Sequence, residues 1–226
     1  MRTLTKELRD KITPTQAIEI LKKGNERFVN NLKVNRNLLQ QVNETSEGQH
    51  PFAVILSCID SRTSAELIFD QGLGDVFSVR IAGNIQNEDI LGSLEFSCKV
   101  AGAKVVVVLG HTKCGAVKGA CDHVIMGNLT TLLEKLKPAV EGETSVTSNR
   151  NANNSEFVEK VASLNVRITK KQILKNSPIL NEMIKMNEIA LVGGMYDVET
   201  GIVDFYDDEI VTAETLTKKA TVLESY

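Results

Sequence analysis

Two short stretches carry the residue types that chemistry needs. Cys58-Ile59-Asp60-Ser61-Arg62 holds a thiol, a carboxylate and a guanidinium, and His111-Thr112-Lys113-Cys114 holds an imidazole and a second thiol. Two cysteines and one histidine are what zinc takes from a protein when its fourth position stays open. Such an ion lowers the pKa of water at the open position towards neutrality. Two thiolates cancel the formal charge of Zn2+, so they lower that pKa less than neutral ligands would. An anionic acceptor beside the open position is then useful, and Asp60 has the right chemistry. Arg62 would hold Asp60 ionised and fix its geometry through a two-pronged contact.

Bland readings compete with this one. Two buried thiols and a surface histidine need no metal, and Asp60–Arg62 alone would be an ordinary ion pair closing a turn. A structural zinc needs four protein ligands, with Cys121 or His123 as the fourth. Structural modules, however, carry close-spaced ligand pairs on short hairpins. Here each cluster directly follows a buried strand.

The elements that must position these residues are legible. Pro51 to Ser57 and Lys104 to Leu109, the latter with four consecutive valines, are apolar runs that read as strands buried on both faces. Val76 to Ile81 is a further strand. Ala65 to Phe69 and Glu88 to Ala101 have helical spacing between them. Strand, helix, strand, helix, strand predicts a mainly parallel α/β sheet flanked by helices. The clusters then fall at the carboxyl ends of two strands, where open α/β sheets place ligands.

Thr13-Pro14 opens an amphipathic first helix carrying Ala17, Ile18, Leu21 and Phe28. Residues 31–50 read as a polar connection. Leu129 to Val140 is helical, and Glu141 to Ser155 is a polar surface loop. Helices follow from Glu156 to about Lys175 and from Pro178 to about Met186. Ile189 to Tyr196 is a strand, turned at Thr200-Gly201 into a hairpin with 202–206. The last twenty residues carry no chemical signal.

Composition narrows the class. The chain has 226 residues, 42% of them apolar, which suits one domain with a sizeable core. With 26 Lys plus Arg against 29 Asp plus Glu, there is no electrostatic case for nucleic acid or an anionic membrane. No run approaches the ~18 apolar residues of a membrane helix, and the N-terminus lacks a secretory pattern. A cytoplasmic protein is expected. The four cysteines are too few for a disulfide framework in a chain this long, and Cys98 reads as a small buried hydrophobe.

Taken in order, Gln49-His50-Pro51, Cys58-Ile59-Asp60-Ser61-Arg62, Glu66 to Gly72, Val79-Arg80-Ile81-Ala82-Gly83-Asn84 and Gly110 to Val117 resemble the β-class carbonic anhydrases. The resemblance covers about residues 49–120, and the whole chain more loosely. It implies reversible hydration of carbon dioxide to bicarbonate and a proton. It implies one zinc per chain on Cys58, His111 and Cys114, with Asp60 and Arg62 as an orienting dyad. It also implies a single domain over 1–226, made of an N-terminal helical arm (1–50) and an α/β core (51–226). The N-terminal helix would pack on a partner subunit in a homodimer or homotetramer.

Gln49 falls where plant-type members place a substrate-contacting glutamine. Phe77, Ala82 and Phe96 fall where that type lines a small apolar pocket, partly from the partner, although Phe77 and Phe96 read equally well as core. Gly115 falls where a backbone N–H approaches the substrate. Some bacterial members hold an inhibitory bicarbonate on a Trp, an Arg and a Tyr. Arg80 matches the Arg, but Ile55 stands in the place of the Trp, so that regulation is not expected. Histidine titrates near neutrality, which makes His50 and His123 candidates for proton transfer. Two alternatives remain open at this point: a hydrolase of the same fold acting on carbon disulfide or carbonyl sulfide, and a zinc-binding protein without turnover.

Overall fold

The computed structural model describes residues 3–216; the end of the uninformative C-terminal stretch, 217–226, lies outside the described residues. Five strands form the sheet: β1 (Ala53–Ser57), β2 (Val76–Arg80), β3 (Val105–His111), β4 (Ala190–Tyr196) and β5 (Val203–Phe205). Their spatial order is β2-β1-β3-β4-β5, and only β5 runs antiparallel to its neighbour. The predicted hairpin is therefore present. Strands β1 and β3 are buried along their whole length, which is why their sequences are continuous apolar runs rather than alternating ones.

The chain leaves β1 towards one edge, to β2, and leaves β3 towards the other, to β4. The gap between the carboxyl ends of β1 and β3 is thus the switch point of the sheet, where loops diverge and leave a crevice. Ser57 pairs with Leu109, so Cys58 and His111 emerge side by side there.

Helices cover both faces. The N-terminal segment holds α1 (Lys6–Asp10), α2 (Pro14–Val29) and α3 (Leu38–Glu44). Thr13 caps α2 with a capping box to Gln16, and Pro14 pre-sets its first turn. The apolar stripe of α2, Ala17, Ile18 and Leu21, packs within its own chain against one sheet face, with Ile55, Val107 and Val192. What the N-terminal segment leaves uncovered is Leu8, Val29, Leu32, Leu38, Leu39 and Val42.

The polar connection 31–50 contains α3 and is pinned. Buried Asp70 accepts hydrogen bonds from Arg27 Nε (2.6 Å), Arg36 Nη1 (2.5 Å) and the Val34 N–H (3.2 Å). Here hydrogen bonding substitutes for an apolar pattern, so nothing periodic marked it.

Further along are α4 (Ala65–Ile68), α5 (Glu88–Glu95), α6 (Gly115–Cys121), α7 (Gly127–Glu134), α8 (Lys137–Gly142), α9 (Ser155–Asn176) and α10 (Pro178–Lys185). The expected helix from 88 to 101 widens into a π-type turn over Phe96–Val100. The expected helix over 129–140 splits in two, because Pro138 has no N–H with which to continue α7 and instead enters the first turn of α8. The short α6 had no signal in Gly-Ala-Val-Lys-Gly-Ala-Cys, which holds two glycines and no apolar stripe. Helices α5, α9 and α10 cover the other face with Leu94, Val166, Ile173 and Leu180.

Helix α9 lies very close to the sheet. A Cβ on Gly110 would meet Val166 at 2.6 Å, and one on Gly193 would meet Val166 at 2.7 Å and Lys170 at 2.9 Å. Glycine in these strands is the condition for that approach. Among the described residues, no helix is long and apolar enough to cross a membrane.

Candidate metal centre

Three local devices build the site. The first is the loop after β1. Thr63 Oγ1 donates to the carbonyls of Cys58 (3.1 Å) and Asp60 (2.8 Å), and Arg80 donates to the same two carbonyls at 3.0 and 2.6 Å. The second is the turn at Ala82–Asn84, where Gly83 takes φ +70 and its N–H points at Cys58 Sγ, 3.4 Å away. A Cβ on Gly83 would also meet Leu136 at 2.9 Å, so glycine is required there twice over. The third is the link from β3 to α6, in which Lys113 adopts φ +57 and Cys114 becomes the residue preceding the helix.

These devices bring Cys58, His111 and Cys114 together. Their ligand atoms lie within 4.8 Å of one another, all three residues are buried, and the two sulfurs are 3.9 Å apart. His111 Nδ1 lies 2.9 Å from the Thr112 carbonyl, so the proton sits on Nδ1 and Nε2 presents a lone pair. Nε2 is buried and has no hydrogen-bond partner. A buried polar atom without a partner is costly. Two thiols and an orphaned imidazole nitrogen within this span are the donor set of a zinc site, and the residues fit that ion. Cys121 and His123 do not join the group, which removes the fourth ligand of a structural site.

The thiols confirm the electrostatic logic. The Cys114 thiol hydrogen-bonds to Cys58 and draws the Cys58 pKa down against the opposing effect of burial, with further help from the Gly83 N–H. The same pairing, with burial, pushes Cys114 up. Both thiols would bind a divalent ion as thiolates. By contrast Cys98, remote from this site, is simply buried, which pushes its thiol up to about 12.

Asp60 stands apart from the ligand set. Its Oδ1 accepts from Arg62 Nε (2.9 Å) and the Arg62 N–H (3.0 Å), and Oδ2 accepts from Arg62 Nη2 (2.7 Å). These bonds hold the carboxyl well below the usual carboxylate range, against a smaller opposing effect of burial. Oδ2 lies 4.0 Å from His111 Nε2. The carboxylate is thus ionised, oriented and beside the ligands.

Ala82, next to the Gly83 turn, and Gly115, directly after Cys114, also border the centre. Gly115 faces open space, since a Cβ there would meet nothing. Gln49, Phe77 and Phe96 lie elsewhere in the chain. Phe77 pairs with Val54, four residues before Cys58, which is about 13 Å away along a strand. Gln49 precedes the start of β1 and lies further still. Phe77 and Phe96 form an edge-to-face pair with centroids 6.3 Å apart, and Phe96 is 53% exposed, so it is not ordinary core. Sequence reasoning did not single out Thr63, Asn165 or Glu159. Asn165 left a trace as a polar residue within the apolar face Val161, Ala162, Val166 of α9; Glu159 left none.

Comparisons with known proteins agree with this geometry. The carbonic anhydrase family profile matches residues 53–203. Carbonic anhydrase 2 of Mycobacterium tuberculosis is 36% identical over 201 residues, covering 83% of this chain and 90% of that protein. The crystal structure of a β-carbonic anhydrase of Aspergillus fumigatus superposes with a TM-score of 0.66 at 30% identity, covering 75% of this chain and 81% of that one. One of two β-carbonic anhydrases of Sordaria macrospora, described as tetrameric, superposes with a TM-score of 0.65 at 28% identity, over 72% of this chain and 83% of that one.

Proposed function

This chain belongs to the β-class carbonic anhydrases, and on that premise we propose how its residues divide the hydration of carbon dioxide. The observation that carries the reading is an ionised Asp60, held by Arg62 outside the Cys58–His111–Cys114 set yet 4.0 Å from His111 Nε2. Zinc on those three residues supplies the lowered water pKa that makes a nucleophile available near neutral pH.

The chain's own groups do the rest. Asp60 Oδ2 accepts a hydrogen bond from the attacking oxygen and so aims its lone pair at the carbon. Arg62 keeps Asp60 anionic and locked in one rotamer by two parallel donors. The Gly115 N–H donates to a substrate oxygen as negative charge develops there. Ala82 narrows the site to the size of a small apolar molecule.

Gln49, Phe77 and Phe96 are too far along the strands to act in their own chain's site. We read them as contributions to the site of a second copy, with the Gln49 amide N–H as a substrate donor and the phenyl rings as apolar wall. The exposed Ile59, Leu67, Phe96 and Val100 support such an interface. A homodimer is the minimal unit, and the tetrameric Sordaria relative supports association of dimers. The described residues 3–216 support one domain, with the arm before residue 50 docked on the core. Four unpaired cysteines support a reducing, cytoplasmic setting.

Stopped-flow hydration of carbon dioxide, run beside metal analysis and beside assays with carbon disulfide and carbonyl sulfide, tests the assignment. Rapid carbon dioxide hydration with one zinc per chain is expected. Zinc-loaded protein that turns over only the sulfur substrates would overturn it.

A further inference from the structure

The ligands leave two different strands on two separate loops: Cys58 follows β1, and His111 and Cys114 flank the link from β3 to α6. Lys113, between His111 and Cys114, sits in the left-handed region, which a lysine adopts only at a cost. Gly83, whose N–H faces Cys58 Sγ, belongs to an equally tight turn. Helix α9 braces both. Glu159 Oε1 accepts the Lys113 N–H at 2.9 Å, and Asn165 Nδ2 donates to the Gly83 carbonyl at 2.8 Å. Asn165 is 2% exposed, so its bond is sheltered from competing water. The close seating of α9 on Gly110 and Gly193 makes this helix a rigid reference for the Lys113 loop and the Gly83 turn.

We infer that Glu159 and Asn165 are positioning residues: together they fix the His111–Cys114 loop relative to the Gly83 turn that faces Cys58 Sγ, and thereby how tightly the chain retains zinc. The inference rests on the zinc reading of the centre. It also accounts for a buried asparagine within the apolar face of α9. Partners behind metal ligands are commonly worth about 10- to 100-fold in metal affinity.

The test uses the full chain loaded with zinc and measures affinity by competition with a chromophoric chelator. Glu159→Ala removes the acceptor for Lys113. Glu159→Gln keeps a carbonyl oxygen there. Asn165→Asp replaces the donor by a carboxylate that repels the Gly83 carbonyl. Glu159→Ala and Asn165→Asp should each bind zinc at least tenfold more weakly, while Glu159→Gln stays within about twofold of the parent. In the cobalt-substituted protein, the thiolate-to-metal absorption band should shift or weaken in the first two variants only. A merely structural role would move the unfolding midpoint of the metal-free protein and leave that band unchanged. Affinities of Glu159→Ala and Asn165→Asp within twofold of the parent would overturn the inference, as would a Glu159→Gln variant as weak as Glu159→Ala. If Asn165→Asp does not fold, the Glu159 pair decides. Parent protein that binds no zinc would instead defeat the reading of the centre itself.

Discussion

Asp60→Asn isolates the role of the dyad, because it keeps the shape of the side chain and removes its charge. In the parent, three donors from Arg62 converge on the carboxylate at 2.7 to 3.0 Å. The amide keeps one oxygen and offers an NH2 group that must face either the guanidinium or the attacking oxygen. Either choice breaks the acceptor geometry. A hydrogen bond to a charged group contributes about 1.5–3 kcal/mol. At about 1.4 kcal/mol per tenfold in rate, losing it in the transition state lowers kcat/KM about 10- to 150-fold. The stability cost is small. Arg62 is 49% exposed, so solvent screens the pair and little stability rests on it. Asp60 is not one of the three ligands, so zinc content should stay at one per chain. The assay is stopped-flow hydration at matched zinc loading. A kcat/KM within threefold of the parent would refute the reasoning and return Asp60–Arg62 to a turn-closing ion pair, and so would a loss that merely follows zinc content.

Replacing Cys58, His111 or Cys114 by Ala should each remove most of the zinc; full retention in all three, read by metal analysis, would sink the ligand assignment. Gln49→Ala should lower kcat/KM with zinc content unchanged, and mixed dimers of Gln49→Ala with Cys58→Ala should regain activity, because one shared site then has both its own ligands and an intact Gln49 from the other subunit. Mixing without any recovery in the hydration assay would place Gln49 outside the site. Asp70 is held below its ordinary pKa: burial pushes it up, but the bonds from Arg27, Arg36 and Val34 more than offset that. A depressed folded-state pKa contributes stability above the unfolded value of ~4 that is lost as pH falls below it. Asp70→Asn should therefore cost about 3 kcal/mol at pH 7, the penalty for leaving two arginines without their partner, and progressively less as pH falls from ~4 through the depressed folded-state pKa. Urea unfolding of the metal-free protein across that pH range reads this, and a pH-independent gap would contradict it. Gly83→Ala should lose both stability and zinc, since its φ of +70 and the contact with Leu136 leave no room for a methyl group; normal expression with full metal content would be the contrary result.

The sequence by itself determined the parallel sheet and its ligands. Val105 to Val108 and Ala53 to Leu56 can be continuous apolar runs only if both faces of the strand are covered, so burial was written in composition. Cys58, His111 and Cys114 were legible because soft ligands directly after such strands have few other uses. Tertiary structure alone decided the rest. The bond from Lys113 to Glu159 spans 46 residues and that from Asn165 to Gly83 spans 82, and a single polar contact leaves no periodicity to read. The same holds for Asp70, which gathers Arg27 from the end of α2 and Val34 and Arg36 from a stretch that reads as plain polar linker. The separation of Gln49 and Phe77 from the centre is likewise a matter of strand direction. Gln49 precedes β1 and Phe77 stands beside Val54 near the start of β2, and an extended backbone that advances about 3.3 Å per residue carries both towards the opposite end of the sheet from Cys58.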